Sequence, residues 1–206
     1  MIDISKIKLV VWDLDETFWS GIISEGEVKP IEKCINLVRD LTDCGIVNTI
    51  CSKNDFSVCE SKLQQMGVWD LFVFPSIDWS PKGQRVATLI KDMSLRAANT
   101  LFIDDNIVNL NEAKHYSPEL MLAEPAIIDE LLNWASAESN KKDLKHSRLE
   151  QYKVLFNKKK ASLDYSSNEE FLYASHIKVE IHNDCHSNIS RIHELLLRSN
   201  QLNYTK

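Results

Sequence analysis

The 206-residue sequence contains no apolar run that approaches the roughly 18 residues of a membrane-spanning helix. Its first residues, Met-Ile-Asp-Ile-Ser-Lys, lack the apolar core of a signal peptide. The five cysteines are odd in number and irregularly spaced, which is not the pattern of a disulfide framework. These absences favour a cytoplasmic protein whose thiols are reduced.

Acidic residues outnumber basic ones, and the net charge of -6 argues against general binding of nucleic acid. The positive charge is concentrated between Lys141 and Lys160, where eight Lys or Arg residues face only two acidic ones. Two interpretations remain open for this stretch. It is either a solvated helix face or a docking surface for an acidic partner protein.

Apolar segments with strand character alternate with amphipathic helical patterns along the first two thirds of the chain. Such alternation with short connections predicts an α/β protein, a three-layer doubly wound parallel sheet, and the connections are too short to hold a further inserted domain. We predict a catalytic domain over residues 1–136, a charged helical linker over 137–165 and a small, incomplete α+β segment over 166–206. The predicted strands of the first domain lie at residues 9–12, 46–51, 72–74, 100–103 and 120–122.

The carboxyl ends of parallel strands meet at one edge of a sheet, which is where α/β proteins bind ligands. Four successive structural units place reactive side chains there: Asp13 and Asp15, Ser52, Lys82, and Asp104 with Asp105. Carboxylates this close repel each other unless a cation lies between them, and Mg²⁺ is the natural choice for oxygen ligands. A nucleophilic carboxylate, a hydroxyl, an ammonium and a metal are the groups that phosphoryl transfer requires.

This constellation resembles the haloacid dehalogenase-like phosphotransferase superfamily over residues 7 to about 125. The resemblance implies that Asp13 is the nucleophile and Asp15 the general acid and base. It implies Mg²⁺ binding by Asp13, the backbone carbonyl of Asp15, and Asp104 or Asp105, with Asp104 preferred as the direct ligand. The phosphate-binding groups would be Ser52, Lys53, Asn54 and Lys82.

Finer motifs resemble the FkbH-like branch of that superfamily, namely Asp-Leu-Asp-x-Thr-x-Trp-x-Gly from Asp13, Cys-Ser-Lys-Asn-Asp from Cys51, and a late segment around Asn200. The branch is associated with loading a glyceryl unit from 1,3-bisphosphoglycerate onto an acyl carrier protein in polyketide pathways. Cys51 is then a candidate catalytic residue, an acyl acceptor whose pKa nearby lysines would lower, or else an inert strand residue. Glu16 departs from the uncharged residue usual in the branch.

The function expected from the sequence is therefore a Mg²⁺-dependent phosphatase and glyceryl transferase with an aspartyl-phosphate intermediate. It would take a small phosphorylated acyl donor and dock its acyl carrier protein on the Lys141–Lys160 stretch. Two alternatives stay open: a plain phosphatase acting on a phosphoprotein or sugar phosphate, and a non-catalytic protein-binding module. The branch normally continues into an acetyltransferase-like domain, and residues 166–206 would be the start of one.

Overall fold

The computed structural model describes residues 2–162 and 186–198, together with residues 173, 178, 180 and 181. The chain forms two compact units, residues 1–160 and residues 161–206. In the second unit a helix covers Ile189–Arg198. Most of the α+β segment predicted over residues 166–206, including the motif around Asn200, lies outside the described residues.

Five parallel strands form the sheet of the first unit, and a two-stranded antiparallel hairpin accompanies it. The strands in chain order are β1 (Leu9–Trp12), β2 (Trp19–Ser20), β3 (Lys29–Pro30), β4 (Val47–Ser52), β5 (Ser76–Ile77), β6 (Thr100–Ile103) and β7 (Met121–Ala123). The sheet order is β5-β4-β1-β6-β7, with β1 at the centre. The hairpin pairs β2 with β3.

Helices cover both faces of the sheet, as the sequence predicts. Alternation along β1 sends Val10 and Trp12 into one apolar cluster and Leu9 and Val11 into the other. Helices α1, α2 and α5 contribute to the first cluster, and α3, α4 and α6 to the second. The helices are α1 (Glu32–Asp43), α2 (Phe56–Gln65), α3 (Lys82–Asp92), α4 (Ile107–Tyr116), α5 (Ile128–Ala135), α6 (Ser147–Ser162) and α7 (Ile189–Arg198).

The strand order reverses at β1, because the chain proceeds from β1 to β4 and β5 on one side and then returns to β6 and β7 on the other. Parallel pairing aligns Trp12 with Ile103. The residues that follow, Asp13 and Asp104, therefore leave neighbouring strands at the same level. Ligands of open α/β sheets bind at such a reversal point.

The predicted strand over residues 72–74 is wrong. A short 3₁₀ turn occupies Trp69–Leu71, and Phe72 makes only an isolated bridge to Asn48. Phe74 has a φ of 53°, which an extended strand does not allow. The edge strand forms two residues later, at Ser76–Ile77.

Helix α6 belongs to the stretch predicted as a charged linker. Its first turn is capped by Asp143, whose carboxylate accepts the backbone N–H groups of Ser147 at 2.9 Å and Arg148 at 2.8 Å. Leu149 is buried in the second apolar cluster, and the Phe156 ring lies 4.8 Å from that of Phe74. Among the described residues, no helix is both long and apolar enough to span a membrane.

Candidate active site

Asp13 lies at the carboxyl end of β1 and is held there by the sheet. Its backbone N–H donates to the Ile103 carbonyl at 3.0 Å, which continues the β1–β6 pairing. Only 4% of the residue is exposed. Its Oδ1 atom accepts a hydrogen bond from the Ser52 hydroxyl at 2.9 Å and lies 2.5 Å from the Lys82 ammonium. The Asp13 carboxylate is thus fixed by two groups from neighbouring elements.

Lys82 joins Asp13 to a second buried carboxylate. Its ammonium lies 2.7 Å from Asp104 Oδ2, and Asp104 is fully buried. Burial alone would lower the pKa of Lys82, but the two carboxylates raise it above its usual value. Burial, with a contribution from Asp104, raises the pKa of Asp13 to about 6 even though Lys82 opposes the shift. The three groups form a buried carboxylate–ammonium–carboxylate cluster.

Lys82 is the first residue of α3, and this helix packs very closely against α4. A Cβ atom on Gly83 would lie 2.5 Å from Glu112 Cγ and 2.8 Å from the Glu112 carbonyl oxygen. Glycine is therefore required by the close approach of the helices. Pro81 occupies the cap position of α3, and the hydroxyl of the nearby Ser80 binds Asp78.

Asp15, the expected proton donor, is oriented by three hydrogen bonds. Its Oδ1 accepts the indole N–H of Trp19 at 2.7 Å and the backbone N–H of Ile23 at 3.1 Å. Its Oδ2 accepts the amide of Asn54 at 3.0 Å, and the same amide also reaches the Ser52 hydroxyl at 3.0 Å. The hairpin and the loop between β4 and α2 therefore hold this carboxylate between them.

Three carboxylates are placed to share a cation. Oxygen atoms of Asp13, Asp104 and Asp105 all lie within 4.8 Å of one another. The Asp104 carboxylate is oriented by the Asn109 amide, at 3.0 and 3.3 Å, and by the backbone N–H of Asn106 at 2.9 Å. Burial and the neighbouring Asp104 raise the pKa of Asp105. Such a set of hard oxygen ligands fits Mg²⁺.

The remaining predicted residues divide between the site and the core. Lys53 lines the pocket and donates to Asn109 Oδ1 at 3.3 Å, and Asn54 is buried beside Asp15. Cys51 is fully buried in the second apolar cluster. Burial raises its pKa to about 12, so the expected lowering of that pKa is wrong. The physical reason for an acyl-acceptor role at Cys51 is thereby removed.

The pocket in front of Asp13 has a volume of about 180 Å³ and opens to solvent. Glu16 lines it with a φ of 52° and accepts the backbone N–H of Gly21 at 2.7 Å. Within residues 2–162, no further domain is inserted over this opening. The sequence motifs assign no role to Trp19 or Asn109, although Trp19 belongs to the Asp-Leu-Asp-x-Thr-x-Trp-x-Gly motif.

No protein-family profile and no curated protein matches the sequence. Among solved structures, the chain is similar to the N-terminal part of protein BF1531 from Bacteroides fragilis, which contains a phosphatase domain and was solved with Mg. The two share 20% identity with a TM-score of 0.50 over 63% of this chain. The match spans 40% of the length of that structure.

Two further structures show weaker similarity. The 3-deoxy-D-manno-octulosonate 8-phosphate phosphatase of Moraxella catarrhalis, solved with magnesium, phosphate and KDO, is 13% identical, with a TM-score of 0.49 over 69% of this chain and 91% of its own. A Legionella pneumophila protein described as a hydrolase of the haloacid dehalogenase superfamily is 15% identical, with a TM-score of 0.48 over 78% and 90%. The fold is haloacid dehalogenase-like.

Proposed function

We propose that the protein is a Mg²⁺-dependent phosphohydrolase that works through an aspartyl phosphate on Asp13. The observation that carries the proposal is the buried Asp13 carboxylate, held by Ser52 and Lys82 at the floor of an open polar pocket. Solved structures of the same fold include phosphatases with bound magnesium. Burying a carboxylate is costly even when it is paired, and a reaction that uses its charge explains its placement.

The first half-reaction forms a bond between Asp13 and phosphorus and breaks the bond from phosphorus to the leaving oxygen. Asp15, held beside the pocket by Trp19 and Asn54, donates its proton to that oxygen. The Lys82 ammonium and the Ser52 hydroxyl balance charge on the phosphoryl oxygens. In the second half-reaction Asp15 takes a proton from water as the water oxygen attacks phosphorus, which releases phosphate and restores Asp13.

Asp13, Asp104 and Asp105 would hold the Mg²⁺ ion, because their oxygens converge within 4.8 Å. When bound, the ion supplies positive charge that offsets the negative charge of the phosphoryl group. Asn109 and Asn106 keep the Asp104 carboxylate in its orientation during the reaction. Titration of Mg²⁺ by calorimetry should give saturable binding that Asp104→Asn weakens strongly, while unchanged binding would contradict this ligand set.

Release of phosphate from p-nitrophenyl phosphate tests the hydrolase activity. We expect turnover that requires Mg²⁺ and is lost in Asp13→Asn. Asp129→Asn is a matched control, because Asp129 pairs with Lys33 on the surface and does not line the pocket. Equal turnover in the wild type and in Asp13→Asn would contradict the proposal.

We also propose the finer function that the FkbH-like motifs imply, glyceryl transfer from 1,3-bisphosphoglycerate to an acyl carrier protein. Within residues 2–162 no inserted domain covers the opening of the pocket, and this supports access by a bulky partner. With Cys51 buried, the accepting thiol would be that of the carrier itself. Mass analysis of the carrier after incubation with enzyme, Mg²⁺ and freshly generated donor should show a glyceryl adduct. Hydrolysis without an adduct would support the plain phosphatase instead.

Docking of the carrier on the Lys141–Lys160 stretch remains a proposal. The Lys141 ammonium lies 3.2 Å from an Asp40 carboxylate oxygen, near the end of α1 that is away from the catalytic edge. Because this ion pair neutralises its charge, Lys141 adds little to the attraction of an acidic partner. Lys158 is exposed, and the Lys160 ammonium lies 4.4 Å from the Phe156 ring centre. Neutralising Lys158–Lys160 should weaken binding of the carrier, and unchanged affinity would contradict docking there.

A further inference from the structure

A second cavity, of about 450 Å³, lies beside the catalytic pocket between the hairpin and α2. Ile22 lines the catalytic pocket, and the next residue, Ile23, lines the second cavity. The backbone N–H of Ile23 also donates to Asp15. The two cavities are therefore lined by consecutive residues next to Asp15, which is where the proposed mechanism places the leaving oxygen.

The catalytic pocket is too small for most of an organic substrate. Its volume of about 180 Å³ is well below the roughly 300 Å³ at which pockets for small organic ligands begin. Its walls are almost entirely charged or amide side chains, which suit a phosphoryl group. The organic part of the substrate must extend beyond this pocket, and the second cavity is the adjoining space.

The second cavity combines an apolar floor with one basic group. The apolar surface of the cavity comes from Val28, Ile23 and Val58. Its polar lining on α2 comes from Ser57, Ser61 and Gln65, which lie along one face of that helix. Lys62 on α2 is half-buried. Its ammonium makes no hydrogen bond or ion pair within the described part of the chain. Glu27 lines the cavity from the hairpin but does not pair with Lys62.

We propose that this second cavity binds the leaving group, and that the substrate is an organic phosphate whose aliphatic chain ends in a carboxylate or comparable anion. The inference rests on the proposed phosphohydrolase function. The phosphoryl group faces Asp13 and the leaving oxygen faces Asp15. The chain contacts Ile23 and Val28, and the terminal anion pairs with the Lys62 ammonium.

Three synthetic esters test this assignment: methyl phosphate, hexyl phosphate and phosphooxyhexanoate. With Mg²⁺ present, we expect the carboxylated ester to have a kcat/KM about tenfold above that of hexyl phosphate, as a charge-assisted contact gives. Lys62→Met should remove this preference and leave methyl phosphate unchanged. Lys91→Met is the matched control, because Lys91 is an exposed lysine on α3, at the other face of the sheet.

A second variant tests the cavity without changing its charge. Gly26 lines the cavity, and no atom lies within 4 Å of a Cβ added there, so Gly26→Leu adds bulk at the cavity wall without a clash at its Cβ. It should lower kcat/KM for both long esters and spare methyl phosphate. Equal hydrolysis of all three esters by wild type and both variants would overturn this inference but not the proposed phosphohydrolase function. Failure of wild type to hydrolyse any ester would instead contradict the proposed function.

Discussion

Replacing Lys82 with methionine removes the only cation between the buried carboxylates of Asp13 and Asp104 within the described residues of the first unit. The ammonium lies 2.5 Å from Asp13 and 2.7 Å from Asp104, and all three residues are at least 96% buried. Removing one partner of such a buried cluster costs about 3–5 kcal/mol. Since a domain is stable by about 5–15 kcal/mol, Lys82→Met should remain folded but lose a large part of its free energy of unfolding.

The loss should depend on pH, with a sign that follows from Asp13. Its pKa is raised to about 6 in the folded chain, whereas an unfolded aspartate titrates near about 3.9. Between these values the folded state binds more protons than the unfolded state, so stability decreases as the pH rises. Without Lys82 the pKa of Asp13 rises further, and the cost of the variant should be largest at pH values above about 7.

Urea unfolding in EDTA, at about pH 5 and about pH 8, measures both effects. Lys91→Met, on the exposed side of the same helix, should stay within about 0.5 kcal/mol of the wild type. Adding Mg²⁺ should recover part of the stability of Lys82→Met, because a second cation replaces the first. A loss below about 1 kcal/mol at the higher pH, or an equal loss at both pH values, would refute the reasoning.

Three further outcomes are expected. Trp19→Phe removes the 2.7 Å indole bond to Asp15, so kcat should fall about ten- to hundredfold with KM little changed; an unchanged kcat would contradict the positioning role. Gly83→Ala places a methyl against the Glu112 backbone and should cost about 1–3 kcal/mol in urea unfolding, whereas an unshifted midpoint would show that the helices yield. Cys51, with a pKa of about 12, should stay unlabelled by thiol reagents until the chain unfolds, and rapid labelling of the native protein would disprove its burial.

The reactive groups at the strand ends were predictable because parallel strands bring their carboxyl ends to one edge. Asp13, Ser52, Lys82 and Asp104 all meet there, although they are far apart along the chain. The contact of Trp19 with Asp15 was not predictable in the same way. It depends on a hairpin whose strands are two residues long, too short to leave a periodic pattern.

Two further predictions differ from the structure because of the backbone conformation. The apolar run Phe72–Phe74 has the composition of a strand, but the positive φ of Phe74 breaks the extended conformation. Cys51 is adjacent to Ser52 in sequence, yet successive side chains of a strand point to opposite faces. Cys51 is therefore close to the reactive groups in sequence, but its side chain lies on the face of the sheet that packs into the second apolar cluster.

Asn48 is a buried polar residue that carries no chemistry and shows what sequence patterns leave out. Its side-chain oxygen accepts the Trp12 indole N–H at 3.0 Å, and its amide reaches Thr42 Oγ1 at 3.3 Å. These bonds connect β4 to β1 and α1 inside the apolar layer. The sequence alone indicates only a polar residue within a strand, because the partners lie on separate elements.

The central claim, that Asp13 carries the phosphoryl group, is tested most directly by trapping. The protein is mixed with Mg²⁺ and acetyl phosphate, quenched in acid within the first turnover and mapped by peptide mass spectrometry. The account predicts one phosphoryl group on the peptide that contains Asp13, and none on that peptide in Asp13→Asn. A phosphoryl group on another residue, or undiminished turnover in Asp13→Asn, would contradict it.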